Sequence, residues 1–121
     1  MEKLTEIKLE KNEKSAINET ITSLNHLYNL DSMILFGSKA RGDFDEYSDI
    51  DLLIVTLSKL NSKEETHICE VLFDIGMKYN VIFSPLNIDA KDWRGGMFTK
   101  FLIYNEILKD GVVCYESAIN N

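Results

Sequence analysis

The stretch from residue 31 to residue 56 constrains this chain more than any other. It holds two short apolar runs, a glycine-serine turn and a pair of aspartates, in the order Met33–Phe36, Gly37-Ser38, Asp49-Ile50-Asp51 and Leu52–Val55. The apolar runs predict buried strands. Because side chains in a strand alternate between its faces, Asp49 and Asp51 are expected to project the same way, about 6–7 Å apart.

Two carboxylates at that spacing repel each other unless a cation lies between them. Mg²⁺ meets this need, since it is commonly held by one or two carboxylates together with substrate phosphates. Gly37 lets the backbone approach a ligand closely, and Ser38 adds a hydroxyl. A short helical turn over 39–41 would aim free amides at an anion. The stretch therefore indicates nucleotide chemistry at a metal site.

Two other phosphate- or metal-binding motifs fail on spacing. Gly37 and Gly42 have the glycine separation of a P-loop, but Asp43 stands where the phosphate-binding lysine is required. An EF-hand loop beginning at Asp43 would need glycine and glutamate where Ser48 and Ile54 stand. Neither motif is present.

The same residues resemble the nucleotidyltransferase superfamily of DNA polymerase β type, in particular its minimal single-domain members. The family's mark is Gly-Ser, about ten residues, and Asp-x-Asp, which Gly37-Ser38 and Asp49-Ile50-Asp51 match. The resemblance covers most of the chain and implies one minimal nucleotidyltransferase domain over residues 1–121. It also implies a palm-like α/β (α+β) fold, a small mixed sheet with helices mainly on one face.

The resemblance implies the chemistry as well. Asp49 and Asp51 would be the catalytic metal ligands, with Mg²⁺ as the cofactor, a two-metal site, and ATP as the substrate. Gly37 and Ser38 would bind the nucleotide phosphates. Arg41 either pairs with a phosphate oxygen or forms a surface ion pair with a neighbouring aspartate, whereas Lys39 is expected to be solvated.

Minimal members are often antitoxins encoded beside a HEPN-domain ribonuclease, and the resemblance implies transfer of AMP to a tyrosine of that partner. The family usually adds a third carboxylate on the strand after the next helix, where this chain reads Asn80–Pro85 without an acid. Asp89 is the nearest acid after that strand. The alternatives are therefore an antitoxin that neutralises its partner by binding alone, and a small-molecule nucleotidyltransferase.

The amino-acid composition limits the classes of molecule that we expect this protein to bind. A net charge of −7 argues against an extended nucleic-acid surface but permits a nucleoside triphosphate and a basic protein partner.

No apolar run could span a bilayer and no leader opens the chain, so we expect a cytoplasmic protein. A homo-oligomer is left open. Cys69 and Cys114 lack metal spacing and are expected to be buried.

Periodicity predicts the remaining elements. Helices are expected over 13–28, 64–79 and 98–108, the second capped by Ser62 with Glu65. Strands are expected over 32–36, 49–56, 81–83 and 112–115, and Pro85 suggests that the third either lies at an edge or bends there. The first eleven residues predict a frayed start, and 89–97 a connector. Trp93 and Phe98 either form a partner surface or pack the last helix.

Overall fold

The computed structural model describes residues 1–4, 7–45 and 48–118, which form a five-stranded mixed sheet with helices packed against it. In chain order the elements are β1 (Glu2–Lys3), α1 (Lys11–Leu27), β2 (Leu30–Phe36), α2 (Gly37–Arg41), β3 (Ile50–Thr56), α3 (Ser62–Tyr79), β4 (Phe83–Asp89), α4 (Ala90–Trp93), a 3₁₀ turn (Met97–Lys100), α5 (Leu102–Asp110) and β5 (Val112–Glu116). The strand order is β1-β5-β2-β3-β4. The pairs β1–β5 and β3–β4 are parallel, whereas β2 runs antiparallel to both of its neighbours. The predicted mixed sheet is confirmed.

The sheet carries a hydrophobic core on each face. The two longest helices, α1 and α3, lie on one face, as predicted, and bury Ile17, Leu24, Ile68 and Leu72 against Leu35, Leu52 and Ile54. Shorter elements cover part of the other face, where Phe98 and Ile107 pack against Ile34, Leu53 and Val55. No helix in the described part of the chain is long and apolar enough to cross a membrane.

Local signals explain most element boundaries, and some predictions need correction. The capping residue of α3 is Asn61 rather than Ser62: its side chain accepts from the Glu64 amide, and the Glu64 side chain accepts from the Asn61 amide. Helix α5 begins at Leu102 rather than at Phe98, because the 3₁₀ turn precedes it. The start of the chain is not frayed throughout, since β1 pairs with β5.

The third predicted strand is displaced along the sequence. Strand β4 begins at Phe83, where the prediction ended, and continues through Pro85 to Asp89. Proline is tolerated because β4 lies at the edge of the sheet, which confirms the predicted edge position. The segment 80–82 instead forms the turn that leaves α3, with Asn80 in the left-handed conformation at φ +59°.

The structure also tests three predictions about the surroundings of individual side chains. Cys69 is exposed, so the prediction that both cysteines are buried was wrong for it, whereas burial raises the pKa of the Cys114 thiol to about 12. Trp93 and Phe98 pack the last helix, because both rings contact the Tyr104 ring of α5. Lys39 is not solvated: its ammonium lies 2.6 Å from Glu13 Oε2, and both side chains are 7% exposed.

The buried pair between Glu13 and Lys39 ties α1 to α2. We expect Lys39→Met to destabilise the protein by about 3 kcal/mol, because it leaves the Glu13 carboxylate buried without its cation. Lys78→Met offers a matched control, since it removes an exposed pair with Glu19 whose loss is expected to cost at most about 1 kcal/mol. Urea denaturation measures both. Equal losses from the two substitutions would contradict a structural role for the buried pair.

Candidate active site

Asp51 lies near the start of β3, in the centre of the sheet. It is paired across the sheet with Phe36 of β2 and with Ser84 of β4. Side chains alternate along a strand, so Asp51 points to the same face as Leu53, whose side chain packs in the core beside α5. Ile50 points to the opposite face, into the core beneath α1 and α3. Burial of Ile50 and Leu53 therefore fixes the orientation of the Asp51 carboxylate.

Asp49 is exposed and immediately precedes β3. The structure brings its charge close enough to act on Asp51. The pKa of Asp51 is raised, first because partial burial disfavours the carboxylate and second because Asp49 repels it. A hydrogen bond from Ser84 and the charge of Arg41 oppose this effect. The aspartate pair thus forms a negative site that a cation would stabilise.

Gly37 forms the wall beside Asp51. A Cβ atom built on Gly37 would lie 2.2 Å from Asp51 Oδ2, and the backbone has φ +75°, a conformation that favours glycine. Both the space and the backbone therefore require glycine here. Ser38 follows in the first turn of α2 and is half-buried. The predicted helical turn after the Gly-Ser pair is confirmed as α2.

Arg41 lies at the end of α2 and forms an exposed ion pair, with Nε 3.1 Å from Asp43 Oδ2. This is one of the two arrangements that the sequence left open. An exposed pair of this kind contributes little to stability, so a phosphate could displace Asp43 at small cost. Its charge already acts on Asp51. Arg41 is therefore near the aspartate pair.

No third acid joins the pair from β4. The residue facing Asp51 across the sheet is Ser84, whose hydroxyl hydrogen-bonds the Asp51 carboxylate. Asp89 pairs with Thr56 at the other end of β3, and its side chain accepts from the Asp92 amide at the start of α4. Within the described ranges, no three acidic, histidine or cysteine side chains are arranged to hold a metal ion. Any metal here would be held by Asp49, Asp51 and groups of the substrate.

Ser84 contributes to this site although the sequence did not indicate it. Its place depends on the parallel register of β3 and β4, which pairs Asp51 with Ser84. A prediction that starts β4 at Val81 assigns no role to Ser84. The sequence signal that could have identified Ser84 is Pro85, because a proline at this position is compatible with an edge strand and does not have to end the strand.

The contact between Gly37 and Asp51 can be tested by adding a single methyl group. Gly37→Ala should lower the melting temperature more than Gly42→Ala, because both have positive φ but only Gly37 has an atom in the way. Gly42 has φ +86° and no atom within 4 Å of the added Cβ. Thermal melts of the two variants therefore separate the clash from the backbone penalty. Equal melting temperatures would show that Asp51 moves aside freely.

Comparison with known sequences gives the family. The Nucleotidyltransferase domain family matches residues 17–111. MJ0604 of Methanocaldococcus jannaschii, named as an inferred protein adenylyltransferase, is 30% identical over 109 residues, which are 86% of this chain and 99% of that protein. MJ0141 of the same organism carries the same kind of name and is 44% identical over 57 residues, 47% of this chain. That alignment spans only 58% of MJ0141.

Solved structures share the fold at low sequence identity. One is a toxin–antitoxin structure with AMP-PNP, at a TM-score of 0.63 and 13% identity over 88% of this chain and 76% of the other. Another contains the tri-AMPylated HEPN toxin of Shewanella oneidensis with its MNT antitoxin, at a TM-score of 0.58, 13% identity, and 88% and 75% coverage. These likenesses agree with the predicted fold. The chain belongs to the nucleotidyltransferase domain family.

Proposed function

We propose that this protein is a Mg²⁺-dependent nucleotidyltransferase that moves AMP from ATP to a tyrosine of a HEPN-domain partner, as an antitoxin does. The observation that carries the proposal is the Asp51 carboxylate, partly buried, repelled by Asp49 and set against Gly37. Family membership supports the reaction class. The names of the Methanocaldococcus relatives and the AMPylated toxin of the Shewanella complex support a protein acceptor.

The reaction joins a tyrosine oxygen to the α-phosphorus of ATP and releases pyrophosphate, while the phenolic proton passes to solvent or to a nearby base. A bound Mg²⁺ would stabilise the charge that develops on the attacking and leaving oxygens. Asp49 and Asp51 would hold it through their carboxylates, and binding requires both in the ionised form. Ser84 favours that form of Asp51 by donating its hydrogen bond.

The residues before Asp51 would position the triphosphate. Gly37 leaves open the space next to Asp51, and the Ser38 hydroxyl beside it can donate to a phosphate oxygen. Arg41 would exchange its exposed partner Asp43 for a phosphate, to which a guanidinium can donate two hydrogen bonds. In this arrangement the phosphates lie over α2, which carries Ser38 and Arg41. The triphosphate would thus be bound by all three proposed binding residues, Gly37, Ser38 and Arg41.

A second candidate function is supported by Ser84. This position, which is paired with Asp51 on the neighbouring strand, carries a hydroxyl rather than a carboxylate, so β4 places no carboxylate opposite Asp51 to act as a general base. The protein would then bind nucleotide and neutralise its partner by occupying it, without transfer. The two functions differ in one observable, the mass of the partner after incubation with Mg-ATP.

The leading proposal is tested by transfer of labelled AMP to HEPN-domain proteins from the same genome. Asp49→Asn and Asp51→Asn should each lower the rate at least about 100-fold, a loss of about 3 kcal/mol in transition-state stabilisation. Asp74→Asn, at an exposed acid on α3, is the matched control and should keep the wild-type rate. Wild-type transfer by the Asp49→Asn, Asp51→Asn double variant would disprove the metal assignment. Stable complex formation without any gain in partner mass would instead favour the second function.

The role of Ser84 has its own signature in the pH dependence. The Ser84 hydrogen bond lowers the pKa of Asp51, so Ser84→Ala should raise that pKa further. Since the metal binds only ionised Asp51, the acidic limb of the pH–rate profile should move to higher pH, with a rate loss of about tenfold below it. Ser58→Ala, at an exposed serine beyond the other end of β3, should leave the profile unchanged. An unshifted limb in Ser84→Ala would show that Ser84 does not act on the reaction.

A further inference from the structure

A groove with a volume of about 720 Å³ opens at the same end of the sheet as the aspartate pair. Its lining includes Lys39, which follows Ser38, and also Ser48 and Ile50, which flank Asp49 in the chain. Ile50 faces the α1 and α3 side of the sheet, whereas Asp51 faces the other side. The groove and the Asp51 carboxylate therefore lie on opposite faces of the sheet at the start of β3. Asp49, which is exposed, lies next to the rim of the groove.

The opposite wall of the groove presents apolar side chains on a tight turn. Asn80 ends α3 in the left-handed conformation, and the Val81 amide donates to the Gly76 carbonyl at 3.0 Å. A Cβ on Gly76 would lie 2.6 Å from the Val81 carbonyl oxygen, so the turn packs directly on the helix. Ile82 of this turn and Met77 near the end of α3 line the groove, where they are 68% and 72% exposed.

Exposed apolar residues continue beyond the groove lining. Phe73 lies one turn before Met77 on α3 and is 68% exposed. Phe44 also lines the groove, and its ring centroid lies 4.1 Å from the Lys39 ammonium. Large apolar side chains gathered round a concave surface are typical of a binding site for another protein.

The charge of the groove lining favours a basic side chain over a phosphate. Lys39 contributes no net charge, because Glu13 neutralises it at 2.6 Å. The other ionisable side chains in the described lining are Glu10 and Asp45, both acidic. A triphosphate would be repelled by this lining, whereas a lysine or arginine would be attracted. The chain as a whole has a net charge of −7, which steers a basic partner towards it.

We propose that this groove docks the acceptor protein of the function proposed above, through a segment that carries apolar side chains beside lysine or arginine. The apolar side chains would cover Met77 and Ile82, and the basic ones would face Glu10 and Asp45. The groove borders Asp49, so a docked segment lies next to the metal site on the α1 and α3 face of the sheet. Docking there supplies affinity for the acceptor without contacting the nucleotide.

The groove can be tested without knowing the acceptor, by using a fluorescein-labelled 14-residue peptide of leucine and lysine in helical amphipathic order. Fluorescence anisotropy should show binding to the wild type, and Met77→Ser and Ile82→Ser, which remove apolar contact without changing the charge, should each weaken it at least about tenfold (about 1.4 kcal/mol). Leu102→Ser is the matched control: Leu102 is 84% exposed on α5, on the other face of the sheet. Equal affinity of all variants, or an equal loss in the control, would overturn the proposal. Thermal melts verify that each variant is folded.

A kinetic experiment separates this proposal from the proposed function. With HEPN-domain proteins of the same genome as acceptors, Ile82→Ser should raise the KM for the protein at least about tenfold while the KM for ATP stays unchanged. A raised KM for ATP instead would show that the groove is a nucleotide subsite and would overturn the docking proposal. If the wild type transfers AMP to none of these proteins, the proposed function fails, and the peptide experiment still decides the groove.

Discussion

The partial burial of Asp51 beside the charge of Asp49 is the constraint on which the account of this site depends. Core packing of Ile50 and Leu53 fixes the start of β3, so the Asp51 side chain is directed to the face of the sheet that it shares with Leu53. Partial burial and the neighbouring charge raise the pKa of Asp51. A fold that holds two acids in this state carries a cost that is removed when cations bind between them.

The helices and strands around Asp51 hold the candidate site in position. Gly37 lets the turn from β2 to α2 pass close to Asp51, while Lys39, two residues later, fixes α2 to α1 through Glu13. Strand β4 brings Ser84 against Asp51 from the other side. The candidate site is thus held by three elements that converge at one end of the sheet.

Local sequence was sufficient for the centre of the sheet and insufficient for contacts between distant segments. The two short apolar runs and the Gly37-Ser38 turn between them predicted β2, α2 and β3 closely, because those signals are local. Val81 and Ile82 read as a strand, yet packing against α3 makes them a turn and displaces β4. The partner of Lys39 lies on another helix, and no periodicity identifies it. The role of Ser84 likewise depends on strand register alone.

The most direct test of the central claim is the pKa of Asp51, followed by carboxyl-carbon NMR in the free protein and with Mg²⁺ and AMP-PNP. In the free protein the pKa should lie above the ordinary value for aspartate, and Asp49→Asn should lower it by removing the repulsion. Addition of Mg²⁺ and AMP-PNP should bring the pKa of Asp51 below that ordinary value, because the cation favours the ionised carboxylate. A pKa that does not change on addition of metal and nucleotide would contradict the account.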